Sequence, residues 1–295
     1  MALPLVNVPA IRQANFRIAF DSVNSVGGIA LPALLQALGV ETVFPLFDNP
    51  DGLFSHNPEP LPEHLTEITK CVTDYKADAG FVVDPDVDRL AVIMEDGRFF
   101  GEEYTLVAVA DYILRHSQGN TVSNLSSTRA LKDITEKHGG KYFASAVGEV
   151  NVVEMMKKHN AVIGGEGNGG VIYPDLHYGR DSLVGIALFL SHLAVTGLSC
   201  SGLRQLYPDY FISKNKVTLK PGATPSEVFA RIREAFKDQP INDIDGLKIE
   251  FEHGWVHLRQ SNTEPIMRIY AEAPSMEKAE QFAVAVKAQI SDWAC

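Results

Sequence analysis

The sequence is poor in cysteine, has no long apolar run and carries fewer basic than acidic residues, and each absence excludes a class of protein. The three cysteines are scattered and form no CxxC pair, which excludes a disulfide framework and is typical of a reducing, cytoplasmic location. No stretch reaches the roughly 18 consecutive apolar residues of a membrane span, so no membrane partner is expected. With 26 Lys and Arg against 37 Asp and Glu, the formal charge of −11 argues against a general nucleic-acid partner, which needs a basic face. A small anionic ligand needs only a few arginines and stays possible.

Strand-like and helix-like segments alternate along the first two thirds of the 295 residues. Their near-continuous apolar strands are typical of a mostly parallel sheet covered on both faces. The pattern restarts near Gly101, and after Pro208 it changes to short strands grouped with flanking helices. The sequence therefore predicts an α/β fold with two similar three-layer α/β domains, which have mixed, mostly parallel sheets, and a small C-terminal α+β domain. We place these domains at residues 1–103, 104–212 and 213–295.

One segment between two apolar runs is rich in carboxylates and reads Asp84-Pro-Asp86-Val-Asp88-Arg89. Three carboxylates at alternating positions in a loop can converge on one hard cation. Mg²⁺ takes a few carboxylates and completes its coordination with water and a phosphate oxygen. Arg89 would lie beside the metal, where a guanidinium can bind the same phosphate. An acidic surface turn is the simpler alternative.

An EF-hand calcium loop is a second alternative for this segment. The three aspartates and Glu95 fall on ligand positions of that motif. Arg89, however, stands where the motif needs glycine for its sharp turn. The flanking residues are also strand-like, whereas an EF-hand has a helix on each side. The sequence therefore favours a strand-flanked magnesium loop.

A second segment, from Gly164 to Gly170, contains five glycines among its seven residues. Glycine lets the backbone approach a ligand closely, and it leaves Glu166 and Asn168 as the side chains that define polarity. A carboxylate and a carboxamide can both bind sugar hydroxyls. Arg180, farther along, could face the same cleft. A plain turn and a helix N-cap at Asp181 are the alternatives for these two stretches.

A third segment contains two arginines, Arg259 and Arg268, on either side of a polar turn. The turn supplies hydroxyl, amide and backbone donors, and its candidate ligand residues are Ser261, Asn262 and Thr263. Guanidinium forks with neutral hydrogen-bond donors are the groups that a phosphate dianion needs. A structural turn in which an arginine pairs with Glu264 is the alternative.

A fourth segment, Ser55-His56-Asn57-Pro58, looks like a nucleophile loop because a hydroxyl stands next to an imidazole. Activation of a serine by a histidine is spatial and needs a third, orienting group, so adjacency in sequence is weak support. The nearby prolines indicate an extended connection instead. We therefore predict no catalytic role for Ser55.

Taken in their order along the chain, the aspartate, glycine and arginine segments resemble those of the α-D-phosphohexomutases. This family comprises phosphoglucomutases, phosphomannomutases and phosphoglucosamine mutases. The resemblance covers about residues 11–290. The aspartate segment is similar to the family's magnesium loop, the glycine segment to its sugar-specificity loop and the arginine segment to its phosphate loop. The resemblance implies Mg²⁺ as the cofactor, held by Asp84, Asp86 and Asp88. It also implies that the predicted domains are the family's second, third and fourth.

The resemblance implies interconversion of hexose 1-phosphate and hexose 6-phosphate (glucose, mannose or glucosamine) through a phosphoserine and a 1,6-bisphosphate. Arg89 would then lie near the transferred phosphoryl group. The substrate would be bound by Glu166, Asn168, Arg180, Arg259, Ser261, Asn262, Thr263 and Arg268. The family's first domain carries the phosphoserine in a Thr-x-Ser-His-Asn-Pro loop, and Leu53 stands where that loop has Thr. We therefore expect this chain to lack that domain, its partner in a full-length protein, and to be inactive alone. A non-enzymatic sugar-phosphate-binding module is the alternative.

The sequence departs from the family pattern at three places, and two of them bear on the acid/base residue. Val87 replaces a common glycine in the metal loop, and Gly170 stands where many members have a histidine to which the resemblance assigns proton transfer. Ser126 and Ser127 occupy a stretch in which some members carry lysine.

Overall fold

The structure, a computed structural model, describes residues 5–220, 222–261 and 266–291. Its helices are α1 (Val8–Ala14), α2 (Gly27–Leu38), α3 (Thr66–Asp74), α4 (Tyr104–His116), α5 (Ala130–Lys137), α6 (Glu149–His159), α7 (Ser182–Thr196), α8 (Cys200–Arg204), α9 (Pro225–Ala235) and α10 (Met276–Ala288). Its strands are β1 (Arg17–Asp21), β2 (Thr42–Leu46), β3 (Ala79–Val83), β4 (Leu90–Met94), β5 (Asn120–Asn124), β6 (Tyr142–Ser145), β7 (Ala161–Glu166), β8 (Gly170–Ile172), β9 (Phe211–Thr218), β10 (Ile241–Asn242), β11 (Leu247–Phe251), β12 (Gly254–Gln260) and β13 (Ile266–Ala273).

Contacts within the chain divide it into two compact units. Unit 1 comprises the described residues up to Ser123 together with Leu131–Phe143 and Gly148–Tyr207. Unit 2 comprises the described residues from Pro208 onward and two short segments from the middle of the chain, Asn124–Ala130 and Ala144–Val147. The first segment begins at the last residue of β5 and the second begins within β6, so the ends of these strands and the loops after them pack with the C-terminal residues. The predicted domain bounds stay a prediction.

Two sheets in the first two thirds of the chain have the same strand order. One runs β2-β1-β3-β4 and the other β6-β5-β7-β8. In the first sheet β1 pairs in parallel with β3, and β3 pairs antiparallel with β4. In the second sheet β5 pairs in parallel with β7, and β7 pairs antiparallel with β8. This repeated arrangement, with the antiparallel sheet of unit 2, confirms the predicted fold class. It also puts the β3–β4 and β7–β8 connections at equivalent positions.

Side-chain alternation along β3 explains the layers around the first sheet. Val82 points to one face and packs with Ile68 and Val72 of α3. Phe81 points to the other face, where its ring meets Phe189 of α7 edge-on at 6.1 Å. Because both faces are covered, the strand is buried along its whole length, as its unbroken apolar sequence predicts.

Helices α4 and α7 are apolar on nearly every side, and their central residues are buried. Such a helix needs packing partners all round. Helix α7 contacts α4 and both β4 and β8, so it lies between the two sheets of unit 1. Among the described residues, no helix combines the length and the apolar character that crossing a membrane requires.

The antiparallel sheet of unit 2 runs β10-β11-β12-β13-β9 and has two unlike faces. Val256, Leu258 and Ile269 belong to one face, which packs in a core that includes Val228 of α9 and Val286 of α10. The opposite face is polar, and it contacts the segment that follows β5. The buried ammonium of Lys248 on that face donates to the Leu125 carbonyl at 2.9 Å.

A buried carboxylate, Glu272, joins that polar face to the segment after β5. It accepts hydrogen bonds from Trp255 Nε1 at 2.8 Å and from the Arg129 backbone N–H at 3.0 Å. Burial raises its pKa above the usual 4.5, against the effect of these donors. The raised value means that ionisation of this carboxyl opposes folding, so its contribution to stability falls as pH rises above about 4.5.

We predict that Glu272→Ala destabilises unit 2 by about 3 kcal/mol, because two buried donors lose their acceptor. Glu272→Gln keeps an acceptor and cannot ionise, so it should cost less at neutral pH and abolish the pH dependence due to this group. Urea unfolding of the two variants across pH 4 to 8 measures both effects. Equal destabilisation by alanine and glutamine would contradict the role of Glu272 as a hydrogen-bond acceptor.

Candidate functional site

The aspartate segment forms the hairpin connection between β3 and β4. Asp84 Oδ1 accepts hydrogen bonds from the backbone N–H groups of Asp88 and Arg89, both at 3.0 Å. Val87 at the tip has φ +61°, a conformation that favours glycine and strains a β-branched residue. A glycine, which the resemblance implies at this position, would avoid that strain. Antiparallel strands on both sides exclude the EF-hand alternative.

The three aspartates converge as the alternation predicts. One carboxylate oxygen from each of Asp84, Asp86 and Asp88 lies within 4.8 Å of the others. Asp88 Oδ1 is buried and accepts no hydrogen bond from the described residues. Burial, helped by the neighbouring carboxylates and opposed by the Arg89 N–H, raises the pKa of Asp84 to about 7. An oxygen-only donor set with excess negative charge fits a hard divalent cation such as Mg²⁺.

Arg89 stays beside the metal loop, where the sequence predicts it. Its Nε lies 3.6 Å from Asp84 Oδ2 and 3.8 Å from Asp88 Oδ1, and its Nη1 lies 3.4 Å from Glu59 Oε1. The side chain is 31% exposed, so the guanidinium is partly accessible to a ligand.

The glycine segment forms the equivalent hairpin connection, between β7 and β8. Glu166, at the end of β7, is buried, and its Oε1 accepts from the Gly148 N–H at 3.2 Å. Asn168 is half-buried, and its Oδ1 accepts from the Gly170 N–H at 3.2 Å. Both side chains predicted to recognise the sugar therefore lie in one loop, and that loop corresponds to the metal loop of the other sheet.

The glycines of this loop approach protein atoms, which differs from the ligand contact expected from the sequence. Gly169 has φ +83°, and a Cβ there would lie 2.3 Å from the Leu90 carbonyl oxygen. The Leu90 N–H donates to the Gly169 carbonyl at 3.1 Å. A Cβ on Gly170 would lie 2.4 Å from Cδ of Arg180. The missing side chains therefore let the sugar loop pack directly on the residue that follows the metal loop.

Arg180 bridges the two loops. Its Nη2 donates to Asp88 Oδ2 in the metal loop, and its Nη1 donates to Glu166 Oε2 at 2.9 Å. Its Nε lies 3.5 Å from Glu149 Oε2, and its backbone N–H donates to Glu149 Oε1 at 2.9 Å. Sequence reasoning missed Glu149, which is the first residue of α6. The Asp181 side chain caps α7 by accepting a hydrogen bond from the Val184 N–H, as the N-cap alternative predicts.

The Ser55-His56 segment lacks the geometry of a nucleophile loop. His56 Nε2 lies 3.0 Å from Asp21 Oδ2, and its Nδ1 lies 2.8 Å from the Asn57 carbonyl. Both ring nitrogens therefore face oxygen atoms, and neither faces the exposed Ser55. The structure supports the prediction that Ser55 is not activated by this histidine.

The arginine segment lies in unit 2. Arg259 on β12 and Arg268 on β13 are directly opposite each other, so two cationic side chains share one face of the sheet. Like charges opposite each other are unfavourable unless an anion lies between them. Ser261 is buried at the end of β12, and its N–H donates to the Ile266 carbonyl at 3.0 Å. Asn262, Thr263 and Glu264 lie outside the described residues.

Asp245 lies beside Arg259 and was not found from the sequence. Its Oδ2 is 2.8 Å from Arg259 Nε and accepts from the Val147 N–H at 2.9 Å. An ion pair at Nε leaves the two Nη groups of the guanidinium for another ligand. The Asp245 carbonyl also contacts His257 Nε2 at 2.7 Å. No spacing or composition signal distinguishes this aspartate from others on the surface.

Comparison with known proteins gives the family. Residues 2–97, 101–210 and 216–289 match models of the phosphoglucomutase/phosphomannomutase family, namely its α/β/α domains II and III and its C-terminal domain. A phosphoglucomutase/phosphomannomutase of Thermococcus kodakarensis is 37% identical over 94% of this chain and 61% of its own length. A probable phosphoglucosamine mutase of Methanopyrus kandleri is 33% identical over 90% of this chain and 59% of its own.

A solved structure gives the same result. The phosphoglucomutase/phosphomannomutase family protein of Burkholderia thailandensis aligns with a TM-score of 0.80 and 27% identity, covering 96% of this chain and 63% of that one. The chain thus spans less than two thirds of the length of these relatives. It belongs to the phosphoglucomutase/phosphomannomutase family.

Proposed function

We propose that this chain is part of a phosphohexomutase that interconverts hexose 1-phosphate and hexose 6-phosphate of glucose, mannose or glucosamine. The route runs through a phosphoserine and a 1,6-bisphosphate intermediate. The observation that carries the proposal is the direct link between the metal loop and the sugar loop through Arg180. A hydroxyl held at Glu166 is thereby near the aspartates that bind the cation.

In this proposal Asp84, Asp86 and Asp88 hold Mg²⁺. The cation would supply positive charge that offsets the negative charge of the transferring phosphoryl group. Phosphoryl transfer depends on positioning and charge neutralisation more than on covalent chemistry by the protein. Arg89 lies beside the aspartates and is partly exposed, so it can donate to an oxygen of the transferring group.

The remaining residues hold the substrate. Glu166 and Asn168 bind sugar hydroxyls, with Arg180 supporting this recognition. The phosphate that is not reacting is bound by Arg259, Ser261, Asn262, Thr263 and Arg268. The opposed pair of Arg259 and Arg268 supports this assignment, because a dianion relieves their repulsion.

The phosphoserine, in this proposal, comes from a domain outside these 295 residues, and the protein acts in the cytosol. The position of Ser55 supports the first part, since His56 is bound to Asp21 and the Asn57 carbonyl. The chain alone is then inactive.

Turnover with and without a phosphoserine domain tests the proposal. The chain is mixed with glucose 1-phosphate, catalytic glucose 1,6-bisphosphate and MgCl₂, and glucose 6-phosphate is measured. We expect no turnover by the chain alone and measurable turnover after adding the separately produced N-terminal part of the Thermococcus kodakarensis relative. Full turnover by the chain alone would overturn the external phosphoserine. Binding of hexose phosphates without turnover in either mixture would favour a non-enzymatic binding module.

A further inference from the structure

Arg180 is held in place by its own backbone as well as by its side chain. It forms an antiparallel bridge with Ile172 at the end of β8. The next two N–H groups along the chain, of Asp181 and Ser182, donate to the carbonyls of Val171 at 2.9 Å and Val87 at 3.0 Å. One of these acceptors belongs to the sugar-loop strand and the other to the metal loop. The backbone of Arg180 is therefore fixed between the two loops, and its side chain is only 15% exposed.

Acidic groups outnumber basic groups around this guanidinium. It contacts the carboxylates of Asp88, Glu166 and Glu149, and Asp84 and Asp86 complete the aspartate cluster. Arg89 is a second guanidinium at the cluster. A planar guanidinium can donate to several carboxylates at once, which a lysine ammonium does less well. Because Arg180 Nη2 already donates to Asp88 Oδ2, a bound cation and Arg180 compete for the negative charge of the Asp88 carboxylate.

We propose that Arg180 is a positioning residue that acts on cation and sugar in opposite directions, competing with the cation for Asp88 while holding Glu166 in place for the sugar. This inference rests on the proposed function for its sugar half. Without Arg180, Asp88 Oδ2 loses its donor and the cluster loses one positive charge, so the cation binds more tightly. Glu166 then loses its cationic partner beside the like charge of Glu149, so its carboxylate is no longer oriented toward a sugar hydroxyl.

Arg180→Gln tests this by two separate titrations of the full chain. We expect MnCl₂, followed by electron paramagnetic resonance without sugar, to bind about fivefold more tightly, since one competing positive charge is removed. We expect glucose 6-phosphate, followed by calorimetry in EDTA, to bind about tenfold more weakly, the effect of losing one charge-assisted hydrogen bond. A merely structural role would weaken both.

Two further variants sharpen the test. Arg98→Gln removes the same charge from an exposed side chain that pairs with Asp96, and it should change neither affinity. Arg180→Lys keeps the charge but cannot fork to Asp88 and Glu166, so we expect near-normal MnCl₂ binding with weakened glucose 6-phosphate binding. Thermal unfolding shows whether each variant folds, and Arg180→Met, which removes the charge from a side chain of similar length, replaces Arg180→Gln if Arg180→Gln does not fold.

The outcomes separate this inference from the function on which it rests. A parallel fall of both affinities, or no change in either, would overturn the role of Arg180. Absence of any sugar-phosphate binding by the wild-type chain, with a full panel of glucose, mannose and glucosamine 6-phosphates, would overturn the proposed function. The MnCl₂ titration would then decide by itself whether Arg180 competes for Asp88.

Discussion

Asp86→Asn should weaken Mg²⁺ binding by at least about 100-fold. Replacing a residue that only hydrogen-bonds to a metal ligand already costs about 10–100-fold in metal affinity, and Asp86 is itself a predicted ligand. Asp86 is the exposed member of the aspartate cluster, so asparagine can replace it without disturbing the hairpin. The change removes one of three converging charges and keeps the shape of the side chain. Calorimetry with MgCl₂, or competition against Mn²⁺, measures the loss, and unfolding in urea should be unchanged.

The choice of Asp86 over its neighbours follows from the hydrogen bonds of the turn. Asp84 accepts from two backbone N–H groups, so its replacement would alter the fold of the loop as well as the ligand set. Asp96→Asn is the matched control, since it removes an equivalent charge from an exposed side chain that pairs with Arg98. Equal Mg²⁺ affinities for wild type and Asp86→Asn would show that the segment is an acidic turn.

The fold was largely predictable because its buried strands are continuous apolar runs. The structure confirms the predicted fold class, including the shared arrangement of the two α/β sheets. Helix α1, which contains Pro9, was not predicted from the sequence. Pro9 lies in the first turn, where its missing N–H costs nothing, and Asn7 caps the helix by accepting from Ala10 at 3.1 Å.

The candidate site was predictable where its residues are close in sequence. The alternation of three aspartates indicates convergence by itself, and the structure brings their oxygens together. Glu149 and Asp245 could not be found, because each meets its arginine only through the fold. Glu149 precedes Arg180 by 31 residues, and Asp245 precedes Arg259 on a neighbouring connection. An isolated carboxylate carries no pattern that points to such a partner.

Glycine was the least informative residue type in the sequence. Its abundance between Gly164 and Gly170 indicated close backbone approach but not what is approached. Gly169 meets the Leu90 backbone and Gly170 meets the Arg180 side chain. Packing between loops and contact with a ligand impose the same requirement on the chain, so composition alone could not separate them.

Protonation of His257 should destabilise unit 2 in acid. As pH falls from 6.5 to about 4, we expect this group to lower the free energy of unfolding by about 3 kcal/mol. Burial, with a smaller effect from Lys248 and against the Asp245 carbonyl, lowers the pKa of His257 to about 4. The imidazole is neutral in the folded state. Its Nε2–H donates to that carbonyl at 2.7 Å, because a carbonyl can only accept, and its Nδ1 accepts from the Ser126 hydroxyl at 2.9 Å.

The sign follows from the direction of the pKa change. Because the folded-state pKa lies below the usual 6.5, the unfolded chain takes up a proton first as pH falls, and this pulls the equilibrium toward unfolding. His257→Gln offers the same donor and acceptor without titrating, so wild type should lose stability relative to this variant as pH falls from about 7 to 4. His253→Gln, at an exposed position in the same β11–β12 hairpin, should leave the wild-type profile unchanged. Parallel profiles for wild type and His257→Gln would mean that the imidazole is accessible to protons in the folded chain, and that the segment after β5 is not held by Ser126 as described.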